Sequence, residues 1–225
     1  MRCYGYALLD QPAPLDDLRG VDGERLEQET SGVATLVFGR VDATPAVSRD
    51  ALIAQDRVVR TLHARAASVL PLRFGTSFAD VAAADARMRE QDARLVEALA
   101  MVRDRAQMTL RFVRVQAAQP EPDEAAAAEP PLTGTAYLER RRHARAPVDP
   151  AIREFCAPLA DLVVWGLVQA TPRTPAVASA YHLVACVDVE AYADRVRERL
   201  DAAPALRVRL AGPSPAYAFA SSVSL

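Results

Sequence analysis

Apolar positions in the first half of the chain follow two periods. Short alternating or unbroken apolar runs predict strands at Arg2 to Leu9, near Glu24 to Glu29, at Val33 to Gly39 and at Val69 to Phe74. A further strand is expected at Met108 to Val115, built around Leu110, Phe112 and Val113. Helical spacing predicts a helix from Ser48 to Ala67, with Ser48 as its cap and Leu52, Val59, Leu62 and Ala66 on one face. A longer helix is expected over Phe78 to Arg103, where Val81, Met88, Leu95, Leu99 and Val102 keep helical spacing.

Gln116 to Pro131, QAAQPEPDEAAAAEPP, breaks this pattern, being acidic, rich in Pro and Ala, and without a larger aliphatic side chain to bury. It reads as a flexible surface linker or a poorly ordered loop. Beyond it the pattern resumes in reduced form. Helices are expected at Thr135 to Ala144 and at Pro150 to Leu162, separated by Pro147 and Pro150, with Ile152, Phe155, Leu159 and Val163 facing inward. Strands are expected at Val163 to Gln169 and Ala180 to Val187, a helix at Glu190 to Asp201, and a last strand at Leu206 to Ala211.

This mixture predicts the α+β class: two ferredoxin-like or modified ferredoxin-like α/β sandwiches with mainly antiparallel sheets, joined by the Pro/Ala/Glu linker. The expected division is an N-terminal domain over residues 1–116, a linker over 117–133, and a C-terminal domain with an extended tail over 134–225. In the first domain two helices are expected to cover one face of the sheet. A length of 225 residues, 51% of them hydrophobic, supplies apolar side chains for both cores.

Charge narrows the partners. The formal net charge is −2, with no long run of one sign, which argues against a nucleic-acid stripe or a polybasic membrane patch. No uninterrupted apolar stretch approaches the ~20 residues of a membrane-spanning helix. The N-terminus carries no secretory signal pattern, so a cytoplasmic protein is expected. Cys3, Cys156 and Cys186 are odd in number, far apart and in apolar contexts, which predicts reduced core thiols.

Candidate chemistry is sparse. His63, His143 and His182 have no ligand-like neighbours, and His182 lies in an apolar strand, the setting of a satisfied core or sheet-face histidine. There is no nucleophile elbow and no phosphate loop, and pairs such as Asp16-Asp17 and Asp123-Glu124 read as solvated surface. No catalytic, cofactor-binding or metal-binding residue is therefore assigned. The run Glu139 to Arg142 with Arg145 lies beside Tyr137 and reads as a solvated helix face or a contact for an acidic protein.

Gln55 sits on or beside the apolar stripe of its helix, either buried with hydrogen-bond partners or at a border reaching solvent. Arg73, between Leu72 and Phe74, is expected to be held first by a carboxylate or backbone carbonyls, and second to serve an interface. The tail cannot continue a central strand, because Pro213 and Pro215 remove donors. Tyr217 and Phe219 are expected to dock on the second domain, or to be offered to a partner as a peptide arm.

Three segments carry a resemblance: Val69 to Phe78 (VLPLRFGTSF), Gly134 to Leu138 (GTAYL), and the terminal Leu210 to Phe219 (LAGPSPAYAF). With the aromatic opening Cys3 to Tyr6, and in this order and spacing, they resemble the GvpL/GvpF family of gas vesicle accessory proteins over nearly the whole chain. The chain has Gln55 where the family usually has His, Ser214 in place of a Trp, and Ala216 in place of a second Pro. The resemblance implies a non-enzymatic minor component of gas vesicle assembly that binds the small hydrophobic shell subunit and other accessory proteins. Its candidate structural or partner-binding residues here are Arg73, Phe74, Gly75, Gln55, Tyr137, Pro213, Pro215, Tyr217 and Phe219. The rival reading is a ligand-binding or enzymatic protein on paired ferredoxin-like domains.

Overall fold

The first strand, β1 (Arg2–Leu9), is the centre of the first sheet and is buried on both faces from Cys3 to Leu9. It pairs antiparallel with β3 (Ala34–Val41) on one side. On the other side it meets β4 (Val69–Pro71) and the short β5 (Ser77–Phe78). The hairpin of β2 (Leu26–Ser31) with β3 completes the order β2-β3-β1-β4, with β5 also on β1. A computed structural model of the protein describes residues 1–114, 149–170, 176–200 and 206–220. The expected linker over 117–133, the helix at Thr135 to Ala144 and Tyr137 lie outside the described residues.

Helix α1 (Arg49–His63) begins at Ser48, whose extended backbone and Oγ, accepting from the Ala51 N–H at 3.1 Å, supply the expected cap. Its inward stripe is Ala51, Gln55, Val58, Val59 and Leu62, which pack with Tyr4, Tyr6, Val37 and Val69. The stripe is rotated by about one residue from the predicted one, so Gln55 turns in and Leu52 turns out. Helices α2 (Val81–Arg89) and α3 (Asp92–Val102) replace the single long helix expected over Phe78 to Arg103. No Gly or Pro lies between Val81 and Val102, so tertiary packing rather than local propensity interrupts the helix at Glu90 and Gln91. They bury Met88, Leu95 and Leu99. Successive residues of β1 and β3 are buried, so both faces of the sheet are covered, not only the one face predicted.

The second sheet is built from β6 (Arg105–Arg114), β7 (Val163–Ala170), β8 (Ala176–Ala185) and β9 (Leu206–Ser214). Between them stand α4 (Pro150–Cys156), extended by a 3-10 turn to Leu159, and α5 (Val189–Leu200). Among the described residues the succession is β-α-β-β-α-β, that of the ferredoxin-like plan. Its strand order, β7-β8-β6-β9, repeats the second-third-first-fourth order of the first sheet. In the first sheet, the segment between β1 and β2 has no helix.

Two placements differ from the sequence expectation. The chain forms two compact units, Met1–Gln107 with Pro213–Leu225, and Met108–Gly212. Strand β6, expected to end the first domain, is a central strand of the second sheet, because that sheet needs it between β8 and β9. The tail, expected in the C-terminal domain, belongs to the first unit. Of the three thiols expected in cores, Cys3 is buried, Cys156 half-buried and Cys186 exposed.

The second core gathers Leu110, Phe112, Ile152, Phe155, Leu159 and Val184. Phe112 and Phe155 meet edge to face at 5.5 Å. His182 of β8 is buried there, its Nδ1 2.8 Å from the Tyr192 hydroxyl of α5. Burial disfavours the imidazolium and lowers the His182 pKa from 6.5 to about 4. Because the unfolded chain would titrate near 6.5, this contribution is complete above that pH and is lost as pH falls toward 4. The loss amounts to about 3 kcal/mol. The exposed Asp17 and Asp161 and the half-buried Asp85 are held below 3.8 by hydrogen bonds from arginines, so their losses come at lower pH. Denaturation of the second unit, followed from pH 7 to 4, is expected to show this slope and to lose it in His182→Gln. A flat profile in the parent protein would remove the buried neutral histidine from the account.

Candidate functional site in the Arg73 loop and the C-terminal arm

The segment Leu72 to Ser77 leaves β4, turns, and enters β5 under tight backbone control. The Leu72 N–H donates to Tyr6 O at 2.9 Å, the Gly5 N–H donates to Thr76 O at 3.0 Å, and the Thr76 N–H closes the turn on Arg73 O at 3.1 Å. Gly75 has φ +89°, a left-handed conformation that a side chain resists, although there is open space where a Cβ would stand. Glycine is needed here for its backbone and not for room.

Beneath the turn lies a buried polar network. The Tyr4 hydroxyl donates to Gln55 Oε1 at 2.5 Å and accepts from the Gly75 N–H at 3.2 Å. Gln55 Nε2 donates to Leu72 O at 3.0 Å. With 6% exposure, Gln55 is the buried alternative of the two sequence readings, and both ends of its amide are satisfied. Burial raises the Tyr4 pKa, which keeps its hydroxyl protonated and able to donate. Phe74 packs edge to face on Tyr4 at 6.0 Å, fixing the loop from its apolar side.

Arg73 departs from expectation. Its side chain is exposed, and no carboxylate or carbonyl among the described residues holds it, while its backbone oxygen accepts from the Thr76 N–H. The apolar neighbours suggested burial, but the pleat directs Leu72 inward and the next residue outward. Arg73 and Arg87 line an open hollow of about 530 Å³ with Phe74, Gly75, Thr76 and Ser77. Arg87 also pairs with Glu90 at 2.7 Å.

The tail docks on the first unit, which corrects its expected place on the second domain. The Tyr217 hydroxyl donates to Asp56 Oδ1 of α1 at 2.7 Å, while Arg60 donates to Asp56 Oδ2 at 2.7 Å and reaches Pro213 O at 3.5 Å. The Ala218 N–H donates to Gln107 Oε1 at 2.8 Å, and Ser214 Oγ donates to Gln107 O at 3.2 Å. Pro215, Ala216 and Phe219 are buried, and Tyr217 packs on the core beside α1. Burial, aided by the Asp56 bond, raises the Tyr217 pKa and keeps its proton in place. The rings of Tyr217 and Phe219 were legible in the sequence as anchors; Asp56 and Gln107 were not, because nothing local marks a residue whose partner is more than a hundred positions away.

The family model described as gas vesicle synthesis protein GvpL/GvpF matches residues 2–221. The chain therefore belongs to that family. A crystal structure of the gas vesicle protein GvpF from Anabaena sp. PCC7120 is similar, with TM-score 0.75 and 17% identity, covering 97% of this chain and 95% of that one. The gas vesicle protein GvpF from Microcystis aeruginosa is similar at TM-score 0.73 and 16% identity, covering 97% of this chain and 98% of that one. At these identities the two structures establish the shared fold. No curated protein matches the chain in sequence.

Two outcomes check the site. Tyr4→Phe leaves Gln55 Oε1 and the Gly75 N–H without a partner and is expected to lower stability by about 1–3 kcal/mol, whereas Arg73→Ala should change it by no more than about 0.5 kcal/mol. Equal midpoints for both variants in urea would refute the network. Removing residues 217–225 takes two docked rings away and is expected to lower the stability of the first unit by about 3–5 kcal/mol. An unchanged melting temperature would mean that the arm is not held by that unit in solution.

Proposed function

We propose that this chain is an accessory protein of gas vesicle formation that works by binding, engaging the hydrophobic shell subunit and other accessory proteins rather than transforming a substrate. The match to the gas vesicle family over residues 2–221 is the observation that carries this reading.

Two histidines and two cysteines among the described residues are committed to structure, which supports binding over catalysis. His63 Nε2 is 3.0 Å from Arg105 O, and His182 is held by Tyr192. Burial pushes the Cys3 thiol up to about 12 and the Cys156 thiol up to about 11, far from the thiolate that reacts. No helix among the described residues is long and apolar enough to cross a membrane.

Within this reading, the Arg73 hollow is a contact surface. The buried Tyr4–Gln55 network holds its rim rigid, which lowers the ordering cost of binding. The test is capture of co-expressed shell subunit and accessory proteins by the tagged full chain. Capture is expected, and Arg73→Glu is expected to weaken it about tenfold while leaving the melting temperature unchanged. Failure of the parent protein to retain any gas vesicle component would sink the proposal.

A further inference from the structure

The outer side of α1 carries apolar surface for which the first unit has no internal use. Val47 is 78% exposed, Ile53 56% and Leu52 45%. Single exposed aliphatics are ordinary, but three within seven positions on one wall form a patch. They line an open hollow of about 590 Å³ together with Arg49 and Asp56. The hydrophobic pattern alone hid this wall, because Leu52 reads as core when the stripe is drawn through it.

Charge identifies what fits there. Asp56 is already neutralised, its two oxygens taken by Tyr217 and Arg60. Arg49 is in no ion pair among the described residues, so an incoming group meets one uncompensated positive charge at the hollow. The backbone narrows the choice further. From Leu52 onward the amides of α1 are used by its own helix, and Ser48 Oγ satisfies the Ala51 N–H of the first turn. The wall therefore offers no ladder to an extended strand, which favours a ligand whose backbone is already hydrogen-bonded within itself.

We propose that this hollow is a docking surface for an amphipathic helix of a partner protein, apolar where it meets Val47, Leu52 and Ile53, and bearing a carboxylate that meets Arg49. That the partner is another gas vesicle protein rests on the function proposed above; the chemistry of the surface does not.

Fluorescence anisotropy tests the surface directly, using the full chain and a fluorescein-labelled helical peptide with one face of Leu and the other of Glu. A second peptide with Lys in place of Glu is the charge control. Saturable binding of the Glu peptide is expected, weakened about tenfold or more by Ile53→Asp and by Val47→Asp, both at exposed positions. Arg49→Glu is expected to weaken the Glu peptide and strengthen the Lys peptide. Melting temperatures of the variants should match the parent. No saturable binding of the Glu peptide, or equal binding by Ile53→Asp, overturns the proposal. So does light scattering that finds a dimer lost in Ile53→Asp, since the occupant would then be a second copy of the chain. Peptide binding without capture of any gas vesicle component would leave the surface standing and remove the assembly role. Capture unaffected by Ile53→Asp, with no peptide binding, would do the reverse.

Discussion

Gln55 is almost wholly removed from water, and an amide at that depth must find a donor and an acceptor inside the protein or cost ~1–3 kcal/mol. It finds them in the Tyr4 hydroxyl and the Leu72 carbonyl. That one requirement ties α1 to the central strand and to the exit of β4, three elements brought together from 51 and 17 residues away in sequence. It also sets the rotation of α1. With Gln55 facing in, Val58, Val59 and Leu62 enter the core, while Leu52 and Ile53 face out. The turn at Gly75 and the exposed Arg73 depend on the same tie, because Tyr4 also receives the Gly75 N–H.

Asp56 and Arg60 occupy the next surface of the same helix and govern the chain's end. An exposed ion pair four residues apart on a helix contributes little by itself. Here its carboxylate also receives the Tyr217 hydroxyl and its guanidinium reaches the Pro213 carbonyl, so the pair orients the arm that buries Ala216 and Phe219. The prolines suit this role. They hold the approach extended, Pro213 at the end of the edge strand β9 and Pro215 just beyond it. Gln107 closes the arm from the other side through both its side chain and its carbonyl.

The second unit reaches the same strand order with different devices. Its core relies on Phe112 against Phe155 and on a histidine–tyrosine pair. Gly166 lies directly opposite His182 in the β7–β8 register, and a Cβ there would come within 3.2 Å of the imidazole. The close approach explains a glycine in the middle of a strand that would otherwise be weakened by it.

Much of this was legible in residues alone. Alternation and unbroken apolar runs predicted the sites of strands β1 to β4 and of β6 to β9, since burial on a pleated sheet imposes its period on the sequence. Ser48 marked the start of α1 because a cap is a local hydrogen bond. Tertiary structure alone decided the remainder. Periodicity defines a stripe only to within about one residue, and the choice between Leu52 and Gln55 as the inward neighbour rested on Tyr4 and Leu72, which no local window contains. Likewise β6 looks the same as a last strand of one sheet or a central strand of another, because strand pairing is a non-local contact. The arm carried its rings and prolines in plain sight, while the Asp56, Arg60 and Gln107 groups that receive it lie far upstream, and only the folded chain brings them within hydrogen-bonding distance.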